Sequence, residues 1–430
     1  LVFFAILQNI DLILYFTGQL NVYSKNRQKN LLHKHTTMDN QIAPLCNTLL
    51  KYLPRNHFNK ISGQLKTDKR SKGFSTWQAF LWLFIGQVLN VDSIRELCCI
   101  LETRSTTLYH IWIKKFSRSN FSERINKLNP YVFQQVFYKL LEQVQYEVNS
   151  INKNNMLQKI YAIDSTLISL TLSVFNWATY RKKKWWIKVH TRLDITDALP
   201  DLMVITEWNV HDSKAIYDLL SWIKSWDVLL FDRWYLDYKL LYHLEEKWIT
   251  YVTRTKKSTN FCPIEYNEIT HPKVQYDAIC EFVNVDSYEK YPKKFRIVRY
   301  YVEEKEKEYE YITNNFDYPA EMIAELYKQR WQIEELFRRL KQNLKIKQFF
   351  WTSRNAVENQ IRVAMTYYLL LQYIKIKTRA KESLLELTRR FSVLLFDRIN
   401  LLNVINITTK KLKNLPKIVA PPQISLFSDF

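Results

Sequence analysis

The chain has 430 residues, 47% hydrophobic and 24% charged, values of an ordinary globular protein that exclude wholesale disorder and leave room for roughly two to four domains. Lys and Arg number 63 against 42 Asp and Glu, a formal charge of +21, which points to a polyanionic partner, nucleic acid first and an anionic membrane surface second. No glycine follows Gly86 and no CxxC pair occurs among the five cysteines; this excludes the usual dinucleotide and P-loop cradles and zinc fingers, and such thiols suit a reducing cytoplasm.

Residues 1–18 form an apolar run interrupted by Gln8, Asn9 and Asp11, with no basic segment before it. It reads neither as a signal peptide nor as a membrane span. A polar, basic stretch follows, and residues 1–37 are expected to be a non-native or disordered extension, with Met38 the working start. Residues 38–150 read as a helical domain, expected to bind DNA, although no helix-turn-helix is evident. Ile42, Leu45, Leu49, Leu50 and Leu53 recur at helical spacing before Pro54, and residues 76–88 are apolar nearly all round, as in a buried helix. Asp92 and Ser93 are helix-start signals, while residues 118–120 and Pro130 mark breaks.

The pattern changes near residue 155. Residues 159–164, 185–194, 202–206, 228–232 and 249–254 read as strands, and 213–222 and 235–247 as helices, which predicts a mixed α/β unit. Residues 255–316 alternate Tyr, Val and charge as β-hairpins do. One long helix is expected from about Pro319 to Leu344, followed by helix over 355–375 and 380–402. The core is thus expected in two parts, 155–254 and 317–378, around a β-strand insertion at 255–316. Residues 379–430 form a helical C-terminal region and a loose basic tail.

Asp164 and Asp232 each follow a short apolar run, at the carboxyl end of a predicted strand, where open α/β sheets gather their functional groups. On neighbouring strands they would suit hard divalent cations, and a two-ion site clamps the attacking and leaving oxygens of phosphoryl transfer. Glu334 is the candidate third carboxylate. At about 100° per residue, Tyr327, Arg330, Glu334 and Lys341 share an arc of roughly 60° beside the apolar stripe of Met322, Leu326, Ile333, Leu336, Phe337, Leu340 and Leu344. Arg and Lys there would bind phosphate oxygens. The plainer reading is a turn residue for each Asp and a solvated helix face.

Those four residues match Y-(2)-R-(3)-E-(6)-K at every spacing, and the chain resembles the insertion sequence 4 family of transposases. Asp164-Ser-Thr, Leu230-Phe-Asp232-Arg, Tyr180-Arg-Lys-Lys-Lys, Lys188-Val-His-Thr-Arg-Leu-Asp194, His211-Asp-Ser213 and Trp351-Thr-Ser-Arg-Asn355 extend the resemblance over about residues 40–375. It implies an RNase H-like catalytic core with a β-strand insertion, preceded by the helical domain. It further implies a triad of Asp164, Asp232 and Glu334 holding Mg²⁺ or Mn²⁺, two ions, and cut-and-paste transposition by a homodimer on its element's DNA ends, in a prokaryotic cytoplasm and away from membranes. The family's best-known members cleave through a DNA hairpin, with a flipped base stacked on an insertion-domain Trp. This chain has no Trp between Trp248 and Trp331, so Phe261 or Tyr266 would have to serve.

Other positions are weaker. Arg181, Lys182, Lys183 and Lys184 before Trp185 and Trp186 mix cations with stacking surfaces, as a DNA contact would. Lys290, Lys293, Lys294 and Arg296 are read the same way. Asp194, Asp197, Asp201 and Asp212 compete as metal ligands but read better as turn or cap residues, and His190 and His211 as structural histidines. The competing functions are a structure-specific nuclease of the same fold and an inactive derivative that only binds DNA.

Overall fold

A computed structural model describes residues 43–69, 71, 73–104, 108–109, 113–114, 116–151, 158–170, 185–207, 210, 212–343 and 353–406. The expectations for residues 1–37, for Arg181 to Lys184 and for the basic tail beyond residue 406 lie outside these.

Among the described residues six helices precede the first strand: α1 (Leu45–Lys51), α2 (Arg55–Gln64), α3 (Thr76–Leu89), α4 (Ile94–Thr103), α5 (Arg118–Lys127) and α6 (Tyr131–Ile151). Serines start several of them. Ser75, Ser93 and Ser117 accept from the backbone N–H three residues on, which satisfies one of the unpaired donors of a first turn. Asn90 ends α3 in the left-handed conformation that Asn tolerates. Every residue from Thr76 to Val88 is buried. What surrounds α3 comes from both ends of the chain. The long α12 (Arg354–Thr378) packs against α3, α5 and α6, and α13 (Leu384–Leu394) also packs on α3. These helices therefore share one apolar core.

Between them lies a nine-stranded mixed sheet in the order β3-β2-β1-β4-β5-β9-β8-β7-β6. Its strands are β1 (Ile160–Leu170), β2 (Trp185–Asp194), β3 (Leu199–Glu207), β4 (Val228–Phe231), β5 (Thr250–Arg254), β6 (Phe261–Tyr266), β7 (Val274–Phe282), β8 (Phe295–Val302) and β9 (Lys307–Thr313). β1, β2 and β3 form an antiparallel meander, and β4 and β5 continue from β1 in parallel. The hairpins of the 255–316 segment are not a separate layer: β9 pairs antiparallel with β5, so they extend the same sheet. A short helix, α9 (Val285–Lys290), interrupts them.

Strand alternation divides the sheet's residues between two faces. Ala162, Val228, Leu230 and Val252 join the core shared with α10 (Ala320–Gln329), α11 (Trp331–Asn343) and α12. Tyr161, Ile163, Leu229, Phe231 and Tyr251 face α7 (Asp212–Leu219) and α8 (Tyr238–Glu246). The single helix expected over 319–344 is two. Arg330 N bonds Tyr327 O and Ile333 N bonds Arg330 O, each at 3.1 Å, a tightened i→i−3 turn between α10 and α11. The helix expected over 380–402 likewise separates into α13 and α14 (Leu401–Asn406).

Candidate active site

The alternation that puts Ala162 and Leu230 on the α10–α11 face puts Asp164 and Asp232 there too. β1 and β4, about 4.8 Å apart, pair in parallel with Ile163 opposite Phe231, and each aspartate is the next residue after that pair. Their backbones then diverge. β4 stops at Phe231, and Asp232 caps a 3-10 turn over Arg233–Tyr235, accepting from Trp234 N at 3.1 Å. β1 runs on to Leu170 along β2. Asp164 therefore stands mid-strand, not at the strand end expected; only its β4 edge ends there, because β2 continues to supply backbone partners.

Glu334 lies in the first turn of α11, which packs on β1. Arg330, at the α10–α11 junction, bridges the two elements: Nη1 donates to Asp164 Oδ2 at 2.8 Å and Nη2 to Glu334 Oε1 at 2.5 Å. Arg254, the last residue of β5, donates to Asp232 Oδ2 at 3.2 Å. The Tyr327 ring lies between these arginines, with guanidinium carbons 5.6 Å (Arg254) and 5.5 Å (Arg330) from its centroid. The i→i−3 turn helps, since it brings residues 327 and 330 nearly into register. Tyr327 and Arg330 are both buried. Burial pushes Asp164 up to about 6; Arg330 and the Ser165 N–H pull it back, while the Asp232 and Glu334 charges push it further up.

Asp164, Ser165, Thr166, Glu334, Phe337, Arg338 and Lys341 line an open cleft of about 400 Å³. Tyr327, Arg330, Glu334 and Lys341 thus divide: the first two lie beneath the carboxylates, and the last two face the cleft. The donor set, three carboxylates and no thiol or imidazole, is that of hard cations such as Mg²⁺ or Mn²⁺. Among the described residues no three such side chains yet converge around one point, because the Arg330 guanidinium stands between Asp164 and Glu334. The Nε atoms of Arg254 and Arg330 are buried without a hydrogen-bond partner, so this packing leaves polar atoms unspent at the site.

Other expected residues serve the fold. Asp194 and Asp197 pair with Lys159 at 2.5 and 3.0 Å, and Asp201 takes a bidentate bond from Arg192. Arg296 is buried and paired with Asp277 at 2.6 Å, not offered to DNA: strand alternation turns it inward. Lys290 pairs with Asp286 and Lys293 with Glu246, whereas Lys294 is exposed. Phe261 packs edge-on to Phe295, and Tyr266 is exposed. Asp212, His190 and Ser165 form a cluster behind Asp164, and His211 lies outside the described residues. The free cysteines are unpaired. Two site neighbours escaped the sequence reading. Arg254 is placed only by the β4–β5 register, and Trp234, 70% exposed beside Asp232, carried no motif.

Residues 155–370 match the transposase DDE domain family. The chain belongs to that family. Its DDE domain spans both the β1–β5 strands and the hairpins that extend them, and residues 41–114 match a further domain family of unknown function, DUF4372. Proteins named as transposases are similar to the chain. One, for insertion sequence element IS5377 of Geobacillus stearothermophilus, is 28% identical over 53% of this chain and 61% of its own length. Another, y4zB of Sinorhizobium fredii, is 31% identical over 55% and 66%. A third, for element IS4SA of Synechocystis, is 24% identical over 75% and 88%. The chain thus spans less than two thirds of the length of the first two. A cryo-EM structure of the piggyBac transposase synaptic complex with hairpin DNA is similar over 91% of this chain and 88% of that one, at 13% identity and a TM-score of 0.45. Among the described residues no helix is long and apolar enough to cross a membrane.

Proposed function

We propose that the chain is a DNA transposase that cuts at the terminal inverted repeats of its own insertion sequence and joins the freed ends to target DNA. One observation carries the reading: Asp164 and Asp232 each follow directly on the last paired residues of adjacent parallel strands, and Glu334 on α11 shares one arginine with Asp164. The three form the triad. The strand order β3-β2-β1-β4-β5, an antiparallel meander continued in parallel, supports an RNase H-like core with 255–316 as its insertion and the N-terminal helices as the end-binding region. The chain's similarity to proteins named as transposases favours transposition over a stand-alone nuclease or an inactive DNA-binding derivative.

Asp164, Asp232 and Glu334 would hold two Mg²⁺ or Mn²⁺ ions, as DDE transposases use divalent metals. Bound there, the ions supply Lewis-acid stabilisation of the attacking and leaving oxygens. The chain's own part is positioning. Arg330 gives up its carboxylates and turns its fork to a DNA phosphate, Lys341 adds a point charge at the cleft, and Tyr327 seats both arginines. Arg181, Lys182, Lys183 and Lys184 contact the backbone of the duplex. The working unit is a homodimer on paired ends, in the cytoplasm at the nucleoid.

The test is Asp164→Asn, Asp232→Asn and Glu334→Gln on terminal-repeat DNA with Mg²⁺. Each amide removes charge and keeps shape, so each abolishes cleavage and strand transfer while leaving end binding in place. A variant that still cleaves at a near-normal rate excludes its residue from the triad.

A further inference from the structure

Behind the sheet, on the face away from the carboxylates, lies a second polar cluster. β1–β2 register sets Ser165 opposite His190, so both point to the α7 side. Ser165 Oγ donates to Asp212 Oδ1 at 3.1 Å. The same oxygen lies 3.2 Å from Lys188 Nζ and 3.5 Å from His190 Nδ1. His190, fully buried, shares Nδ1 with Tyr235 Oη at 3.1 Å and Nε2 with Thr206 Oγ1 at 2.9 Å. Lys188 also donates to Val210 O at 3.2 Å, which ties down the approach to α7.

The two ends of this cluster matter. Ser165 follows Asp164 directly, and Tyr235 closes the 3-10 turn that Asp232 caps. Parallel pairing between β1 and β4 ends at Ile163 and Phe231, so no β-ladder joins the two carboxylate-bearing segments beyond that point. Resting on the triad reading above, we propose that Ser165, Asp212, His190 and Tyr235 are positioning residues. They form a bracket that sets the separation of Asp164 and Asp232, and through it the affinity of the site for divalent cations. None of the four side chains is a ligand of the cation. Asp212 neutralises Lys188 and receives Ser165; His190 gathers the far end through Tyr235. Each hydrogen bond is directional, so the bracket fixes spacing where apolar packing of equal volume would allow drift.

The experiment is Mn²⁺ binding to the full chain without DNA, followed by electron paramagnetic resonance of free Mn²⁺, with thermal unfolding measured in parallel. Asp164→Asn serves as the reference that removes a ligand. Tyr235→Phe deletes one oxygen from the bracket and Ser165→Ala another, the latter a change too small to threaten folding. Both are expected to weaken Mn²⁺ binding about 10–100-fold, the range found when groups orienting metal ligands are removed, with the unfolding temperature within a few degrees of the parent. Replacing His190 by Gln, which keeps a donor and an acceptor, recovers more affinity than His190→Ala. If Asp164→Asn abolishes binding while both bracket variants bind within twofold of the parent, the bracket is overturned and the triad stands. If Asp164→Asn leaves Mn²⁺ binding unchanged, the triad fails and the bracket with it.

Discussion

Asp164 is a buried acid in a nest of like charge, relieved by one arginine. Its carboxyl sits at about 6 in the fold against about 3.9 in an unfolded chain. The protonated form is therefore the one the metal-free fold favours. That contribution is complete below about pH 4 and is lost as pH rises through 6, to at most about 3 kcal/mol. Asp164→Asn, neutral throughout, should raise the unfolding temperature of the metal-free protein at pH 8 and change it little at pH 4; equal shifts at both would refute the account. Arg330 makes the complementary case. A divalent ion entering between Asp164 and Glu334 must displace a guanidinium already bonded to both. Arg330→Ala should lower metal-free stability yet tighten Mn²⁺ binding in the absence of DNA, as read by calorimetric titration; weaker binding would show that the arginine assists the ion. The three candidate carboxylates were legible because apolar runs ending in Asp and a periodic helix announce themselves locally. Arg254 was not, because nothing near residue 254 says that β5 will lie beside β4.

At the scale of elements, burial patterns held and boundaries moved. Helix α3 declared itself by being apolar on every side, and it is buried throughout. The break at Arg330 left no trace in the sequence, since Tyr-Lys-Gln-Arg-Trp contains no Gly or Pro. It arises where the arginine reaches for two carboxylates that lie on different elements. β1 ran past its expected end for a similar reason: its partner β2 is long, and a strand lasts as long as its partner does. The insertion gave its hairpins away by alternation but hid their destination. Arg296 belongs to that destination, joining β8 to Asp277 on β7 and, through Tyr318 O, to the approach to α10. Arg296→Met strips Asp277 of its buried counter-charge and should cost about 3–5 kcal/mol in denaturant unfolding. A loss under 1 kcal/mol would mean that water reaches the pair.

Taken whole, the chain is strongly basic. A surplus of +21 favours backbone contacts, and each phosphate neutralised adds about −0.9 to the slope of log affinity against log salt for duplex DNA. End binding should weaken by several orders of magnitude between low and physiological salt in a filter or anisotropy titration, and a flat response would exclude duplex DNA as the main partner. The sheet adds a consequence in time. Glu334 lies 170 positions after Asp164 (334 − 164), and β5 waits for β9 before its second edge is paired. At roughly 5–20 residues per second of synthesis, roughly 10–30 s separate the first carboxylate from the third. Once residue 232 has been made, the growing chain carries both aspartates but still lacks Glu334. On the triad proposed above, a chain still short of residue 334 lacks the third carboxylate, so this order of strands and helices would postpone any chemistry until most of the DDE domain has been made.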